Sequence, residues 1–340
     1  MRRSLALLPF LIALAVLMSA LPVVARTNIA VGWSVPEGGG HDPAKVMAEV
    51  DKYVAQVGRN PAVWGLWSRW GDRGANSNGP CVKGVGSCSF PTASVAALQA
   101  RGITPMIWWV FVDPKNPREN RRYAQYNKIN NGVHDSYIRD WARAARNVGK
   151  VTGKPVIIRF AHEADGHWFP WSISAGQNTP RNYKKAWARL WNKFNKVYAT
   201  KHVRWLWSAI KPQKINYPGN KFVNYVGLTV LNFGNPPKTW KPAKKALNQK
   251  VSLARKVTKK PMIVSEMGTS HLGGDKGDWI DTLYKHAYWK QPKIKAIVYL
   301  QAPHDPVEGP DWQLSVGDGG AGLNAYKRIA NNPKFKGKIR

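Results

Sequence analysis

Eight short apolar runs recur through the chain, and amphipathic segments lie between most of them. The runs are "NIAVGW" (28–33), "AVWGLWS" (62–68), "ITPMIWWVFV" (103–112) and "PVIIRFA" (155–161), then "VRWLWSA" (203–209), "VNYVGLTVLNF" (223–233), "PMIVSE" (261–266) and "KAIVYLQ" (295–301). Their length and apolar continuity read as buried strands. The segments between them include "AKVMAEVDKYVAQV", "TASVAALQA", "DSYIRDWARAARNVGKV", "RNYKKAWARLWNKFNKVYA", "AKKALNQKVSLARKV" and "DWIDTLYKHAYW". Each repeats apolar residues at three- and four-residue spacing, the pattern of a helix packing one face inward. Eight strands with intervening helices predict an α/β protein, a single (β/α)8 TIM barrel. An open doubly wound sheet is the competing arrangement, but the first run leads into "SVPEGGGHDP" without a G-x-G-x-x-G phosphate loop. The short stretch 210–222 predicts a missing or very short helix between the fifth and sixth strands.

The barrel is expected to occupy residues 26–340. Before it, "MRRSLALLPFLIALAVLMSALPVVAR" has two arginines, a long apolar run and small residues leading to Ala25. That is the pattern of a secretory signal peptide over 1–25, with a retained membrane anchor as the other reading. Secretion, or export to the periplasm, is therefore expected. Cys81 and Cys88, the chain's two cysteines, stand in "GPCVKGVGSCSF". In an exported protein they are expected to form a local disulfide, and a two-cysteine metal site is the weaker alternative. The formal net charge is +33. Such a surface attracts polyanions, and acidic polysaccharide or an anionic cell envelope suits an exported protein. The basic residues are spread along the chain without a recognition motif, so no specific nucleic-acid partner is expected. The protein is expected to be a monomer.

One stretch concentrates the chemistry. "RFAHEADGHWFPWS" (159–172) places an arginine, a histidine and two carboxylates at the end of the fourth run, followed at once by large aromatics. Catalytic groups of a (β/α)8 barrel stand at the C-terminal ends of its strands. Glu163 follows strand four, and Glu266 closes strand seven in "KPMIVSEMGTS". Strand alternation would put Arg159 beneath Glu163, on the same face. Paired carboxylates are what glycoside hydrolysis requires, one delivering a proton to the leaving oxygen and the other attacking the anomeric carbon. Burial against Trp168 and Phe169 is expected to raise the pKa of Glu163. For either glutamate alone, pairing with one of the 52 basic residues would be the better account. Together, at these two strand ends, they point to catalysis.

The strand-four stretch resembles the signature of glycoside hydrolase family 26, the β-mannanase family, whose pattern runs Arg-x-x-His-Glu-x-Asn-Gly-x-Trp-Phe. Arg159, His162, Glu163, Gly166, Trp168 and Phe169 match it, and Asp165 stands where asparagine is usual. "GVHDSYIRDWARAA", "YPGNKFVNYVGL" and "KPMIVSEMGTS" extend the likeness over the mature chain. The resemblance implies a (β/α)8 fold and a retaining mechanism. It also implies Glu163 as acid/base, Glu266 as nucleophile and His162 as a substrate-contacting neighbour. The chain departs from the family after strand six. Where the family reads Gly-x-Asp-x-Tyr-Asn, this chain has "GLTVLN", with Thr229 for the aspartate and Leu231 for the tyrosine that hydrogen-bonds the nucleophile. Leucine donates no hydrogen bond. A substitute donor is expected, Tyr299 ahead of Asn232.

There are 17 tryptophans. Trp67, Trp70, Trp108, Trp109, Trp168, Trp171 and Trp207 lie near strand ends, where indole faces suit sugar rings. Trp168 and Trp171 are the two expected at substrate; Trp187, Trp191, Trp205 and Trp289 are expected in the core. His41, Asp42, His304, Asp305 and Trp312 are rim candidates that loop structure explains as well. His134, His162, His167 and His271 are scattered and make no metal cluster, and no nucleotide fingerprint or G-x-S-x-G elbow occurs. Neither a cofactor nor a metal is expected. The chain reads as an exported retaining endo-β-glycoside hydrolase of a β-1,4-linked polysaccharide, mannan-like first, with glucan or xylan as alternatives. A barrel with little catalysis that binds polysaccharide, or a basic envelope- or nucleic-acid-binding protein, are the competing readings.

Overall fold

The eight apolar runs form eight strands: β1 (Ala30–Ser34), β2 (Val63–Arg69), β3 (Thr104–Val110), β4 (Val156–Phe160), β5 (Val203–Ser208), β6 (Tyr225–Asn232), β7 (Met262–Thr269) and β8 (Ile294–Leu300). Every neighbouring pair is parallel, β8 pairs back to β1, and the sheet closes as a barrel in sequence order. The computed structural model describes residues 26–36, 40–70, 89–111, 124–234, 239–303 and 311–339. The segment 1–25, Cys81, Cys88, His304 and Asp305 lie outside the described residues.

The helices are α1 (Pro43–Val57), α2 (Thr92–Ala100), α3 (Tyr126–Asn130), α4 (Asp135–Thr152), α5 (Pro180–Lys196), α6 (Ala243–Val257), α7 (Lys276–Lys290) and α8 (Ala321–Asn331). Local chemistry fixes several ends. Asp42 accepts from the amides of Ala44 and Lys45 ahead of Pro43, and Gly58 closes α1 in the left-handed region at φ 89°. Thr179 and Asp275 cap α5 and α7 in the same way. No helix joins β5 to β6, as the short connection predicts; Tyr217 and Phe222 pack there against the core.

Two helices are additional to those read from the sequence. α3 is a single short turn. α8 buries Gly322, Ala325, Tyr326, Ile329 and Ala330, so its inner face is largely small and carries little apolar signal. It is set by Asp318, whose carboxylate accepts from the amides of Gly320 and Gly322.

The aromatic content sorts by strand face. Trp67, Trp108 and Arg159 are partners across β2, β3 and β4 and point into the barrel. Trp109 and Phe160 are paired on the opposite face, where Trp109 stacks on Trp141 of α4 at 4.0 Å and on Trp70 at 4.8 Å. Trp187 and Trp205 are buried as expected, and Trp191 packs on Phe222. Trp289 is not in the core: it is 48% exposed at the end of α7.

Candidate active site

β4 does not run on to Glu163. It ends at Phe160, and the chain turns sharply, with Ala161 at φ 42° and Glu163 at φ 52°. Left-handed backbone at non-glycine residues costs of order 1–3 kcal/mol each, so the surroundings must hold this turn. They do so through hydrogen bonds. The Glu163 amide donates to the Ser208 carbonyl at 3.1 Å, and Trp171 Nε1 donates to the His162 carbonyl at 2.7 Å. Asp165 accepts from the amides of Ile210 and Lys211 at 2.9 and 2.8 Å, tying the turn to the end of β5. Glu163 thus reaches the barrel mouth through a strained turn rather than by strand alternation. Arg159 still lies within 3.8 Å of its carboxylate.

Glu266 stands within β7, which extends past it to Thr269. A bulge sets its direction. Ile263 pairs with Gly227 and Val264 with Leu228, but Thr229 pairs with Glu266, leaving Ser265 without a counterpart. Gly227 and Thr229 are two residues apart and share a strand face. Ile263 and Glu266 are three apart and share one only because of the extra residue.

The two carboxyl groups meet over a common set of donors. Arg159 is fully buried, donates from Nε to Ser208 Oγ at 2.8 Å and from Nη2 to Glu266 Oε2 at 3.0 Å, and lies 5.2 Å from the Trp108 ring centre. Trp108 Nε1 donates to the other oxygen of Glu266 at 3.2 Å. The Thr229 hydroxyl is 3.3 Å from Glu266 Oε2 and makes a short bond with Glu163 Oε1, so those two carboxyl oxygens are separated by about 6 Å at most. Burial and the Glu266 charge raise the pKa of Glu163 to about 7, against the opposing pull of Arg159 and Thr229. A protonated Glu163 then donates to Thr229 Oγ, whose own hydrogen is free to point at Glu266. One hydroxyl links acid and carboxylate.

The other expected site residues divide. His162 is buried, edge-on to Trp67 at 5.5 Å and Phe169 at 4.8 Å, and burial holds its imidazole well below the ordinary pKa, hence neutral. Trp168 is 47% exposed on the same loop and packs edge-on to Phe169. Trp171 is 3% exposed and stacks on Phe169 at 4.2 Å. It therefore braces the loop from below and offers no face to a sugar.

Neither expected substitute donor reaches Glu266. The Tyr299 hydroxyl donates to the Trp312 carbonyl at 2.8 Å, and Asn232 bonds Thr269 Oγ and the Lys241 amide. Both are fully buried in those roles. Leu231 and Phe233 pack instead with Leu300, Ala302 and Trp312. The donors that meet Glu266 are Arg159, Trp108 and Thr229. Thr229 was visible in the sequence only as a departure from the family, and Trp108 only as one of many strand-end tryptophans. Among the described residues no group of three or more His, Cys, Asp or Glu side chains is placed to hold a metal ion.

Two carboxyl groups and a guanidinium at the C-terminal mouth of a parallel barrel frame the comparison with known proteins. The profile of glycosyl hydrolase family 26 matches residues 103–271, a span that takes in both glutamates and Arg159. The chain belongs to glycoside hydrolase family 26. This family-26 chain is 29% identical over 205 residues to endoglucanase H of Acetivibrio thermocellus, covering 56% of the chain and 22% of that protein. It is 24% identical over 215 residues to the mannan endo-1,4-β-mannosidase of Bacillus subtilis strain 168, covering 56% of each. The chain thus spans between about a fifth and a little over half of the length of these relatives. In fold, the B. subtilis mannanase structure superposes with a TM-score of 0.61 at 17% identity, over 92% of this chain and 88% of that one. The family-26 domain of a Prevotella bryantii mannanase/glucanase gives 0.61 at 14% identity, over 91% and 90%.

Proposed function

We propose that the chain is an exported retaining endo-β-glycoside hydrolase, acting on a β-1,4-linked polysaccharide with mannan first among candidates. The observation that carries the reading is the shared Thr229 hydroxyl, which keeps the two carboxyl groups close. That bound fits the ~5–5.5 Å spacing of retaining enzymes and falls short of the ~6.5–9.5 Å that inverting enzymes need for a water. Mannan stands first because the Bacillus subtilis relative is named a mannan endo-1,4-β-mannosidase.

In this mechanism Glu266, held by Arg159, Trp108 and Thr229, attacks the anomeric carbon. Glu163, protonated near neutral pH, gives its proton to the departing glycosidic oxygen. A covalent glycosyl–enzyme ester results. Glu163, now a carboxylate, takes a proton from water as its oxygen attacks the same carbon and Glu266 leaves. Trp168 offers an indole face to the sugar on the leaving-group side. The exported chain is a monomer with Cys81 bridged to Cys88, and it needs no cofactor.

The test is reducing-end release from a panel of mannan, glucan and xylan. Glu266→Ala should abolish release on every polymer. Glu163→Ala should keep activity on aryl glycosides with activated leaving groups, and added azide should speed its second step. Activity of Glu266→Ala equal to wild type on the preferred polymer would overturn the assignment.

A further inference from the structure

The charge of this chain is not evenly distributed over the barrel. Seven segments lead from a helix into a strand at the end opposite the mouth, or cross beneath β1 after α8: 58–62, 101–103, 153–155, 197–202, 258–261, 291–293 and 332–339. Each carries at least one lysine or arginine, and none carries an aspartate or glutamate. Most carboxylates sit elsewhere, and Asp51 of α1 pairs with Arg101 at the base. Asp42, Glu163, Asp165, Asp275, Asp311 and Asp318 all lie at the mouth end or begin helices there.

A concavity of about 610 Å³ opens at this base, lined by Arg26, Lys295, Lys336 and Lys338 together with the starts of β6 and β8. No carboxylate lines it. Beside it stands Trp289, 48% exposed, with the Lys334 ammonium 4.6 Å and the Arg26 guanidinium 5.1 Å from its ring centre. An exposed indole ringed by cations is the composition of a residue that settles at a lipid headgroup boundary.

We propose that this base docks on an anionic membrane surface, its lysines and arginines against lipid headgroups and Trp289 at the interface. The shape of the patch selects the partner. A linear polyanion is met by a stripe or groove of basic residues. Here the cations surround the whole foot of a barrel, a disc rather than a line. A planar array of headgroups can engage all of them at once. The mouth, with its carboxylates, then faces away from the negative surface.

All eight strands and their helices lie within residues 26–339, so the test uses protein beginning at Arg26. Partition is measured by sedimentation with vesicles of equimolar phosphatidylglycerol and phosphatidylcholine, and with phosphatidylcholine alone. Binding is expected to the anionic vesicles only, and to fall away at about 0.5 M salt. Each basic residue near such a surface contributes roughly a fivefold factor. Lys259→Glu, Lys293→Glu, Lys336→Glu and Lys338→Glu combined should therefore lower partition by roughly a hundredfold or more. The same charge change on the helical flank, at Arg139, Lys185, Lys244 and Lys245, should lower it far less. Trp289→Ala should weaken it several-fold without changing its salt dependence. Lys→Gln changes at the four base positions preserve the ranking if charge reversal impairs folding. Equal losses in the base and flank variants would overturn the proposal, since net charge alone would then explain binding. So would an absence of vesicle binding at low salt, or binding to polygalacturonate that is tighter than to anionic vesicles at equal anionic charge and is lost with the same four lysines.

Discussion

Thr229→Val removes one hydroxyl from the centre of the site and leaves its shape. That hydroxyl bridges Glu163 and Glu266, and its bond to Glu163 is among the influences that pull the acid down against burial and the Glu266 charge. Hydrogen bonds to charged groups contribute about 1.5–3 kcal/mol. A single proton cannot serve both carboxyls at once, so the lower end, about 1.5 kcal/mol, is the reasonable figure for either. On Glu163 that corresponds to roughly one pH unit, and on the barrier to roughly tenfold. The sign follows from the role. An acid catalyst works while protonated, and losing a donor to its carboxylate raises its pKa above about 7. The alkaline limb of the kcat/KM profile should therefore move up toward about pH 8, while the plateau falls about tenfold. Thr229→Ser keeps the hydroxyl and should restore both. A Val variant with an unmoved limb and kcat/KM within twofold of wild type would remove Thr229 from the proton network. A limb shifted to lower pH would show that the titrating group is not Glu163.

Other consequences are equally direct. Glu163 has a folded pKa of about 7, above its ordinary 4.5, so its ionisation costs stability as pH rises between those values. Glu163→Gln should then raise Tm at pH 8, by at most about 3 kcal/mol of stability, with the gain vanishing by pH 4. Arg159→Met leaves two buried carboxyl groups without their cation and should cost about 3–5 kcal/mol in urea unfolding at pH 8, whereas Arg159→Lys keeps the charge and should fall between. A Cβ on Gly166 would stand 2.8 Å from the Trp168 ring, so Gly166→Ala should displace that exposed indole and raise KM while Tm barely moves. Tyr299→Phe loses a buried bond to the Trp312 carbonyl and should cost about 1 kcal/mol of stability with kcat unchanged within twofold.

What was legible in the sequence depended on periodicity. β3 and β4 are apolar at nearly every position, so their existence and order, and with them the closed barrel, followed from pattern alone. α8 did not, because glycine and alanine on its buried face leave little contrast. Glu163 and Glu266 were found because each stands at the end of an apolar run in the sequence, and Arg159 because it precedes Glu163 by four residues. Their wiring was hidden. Tyr299 looked like a donor because β8 adjoins β7, yet a phenol goes wherever its nearest unpaired carbonyl lies, and that is Trp312. Trp171 looked like a sugar platform by composition, but only packing decides whether an indole lies above or below a loop. Trp289 shows the reverse error, an aromatic on an amphipathic helix that faces outward.

The unmatched Ser265 makes the site depend on counting. A strand tolerates many substitutions without changing which way its side chains point, but regular pairing with Ser265 opposite Thr229 would shift every later residue of β7 by one position. Glu266 would then turn toward the helices, while the sheet beneath it kept every pairing partner up to Val264. The fold would survive in outline, and the chemistry would be gone. Between a hydrolase and an inert barrel, on this scaffold, the difference is one residue of register. Comparisons that align β7 by its apolar pattern alone would not detect the difference.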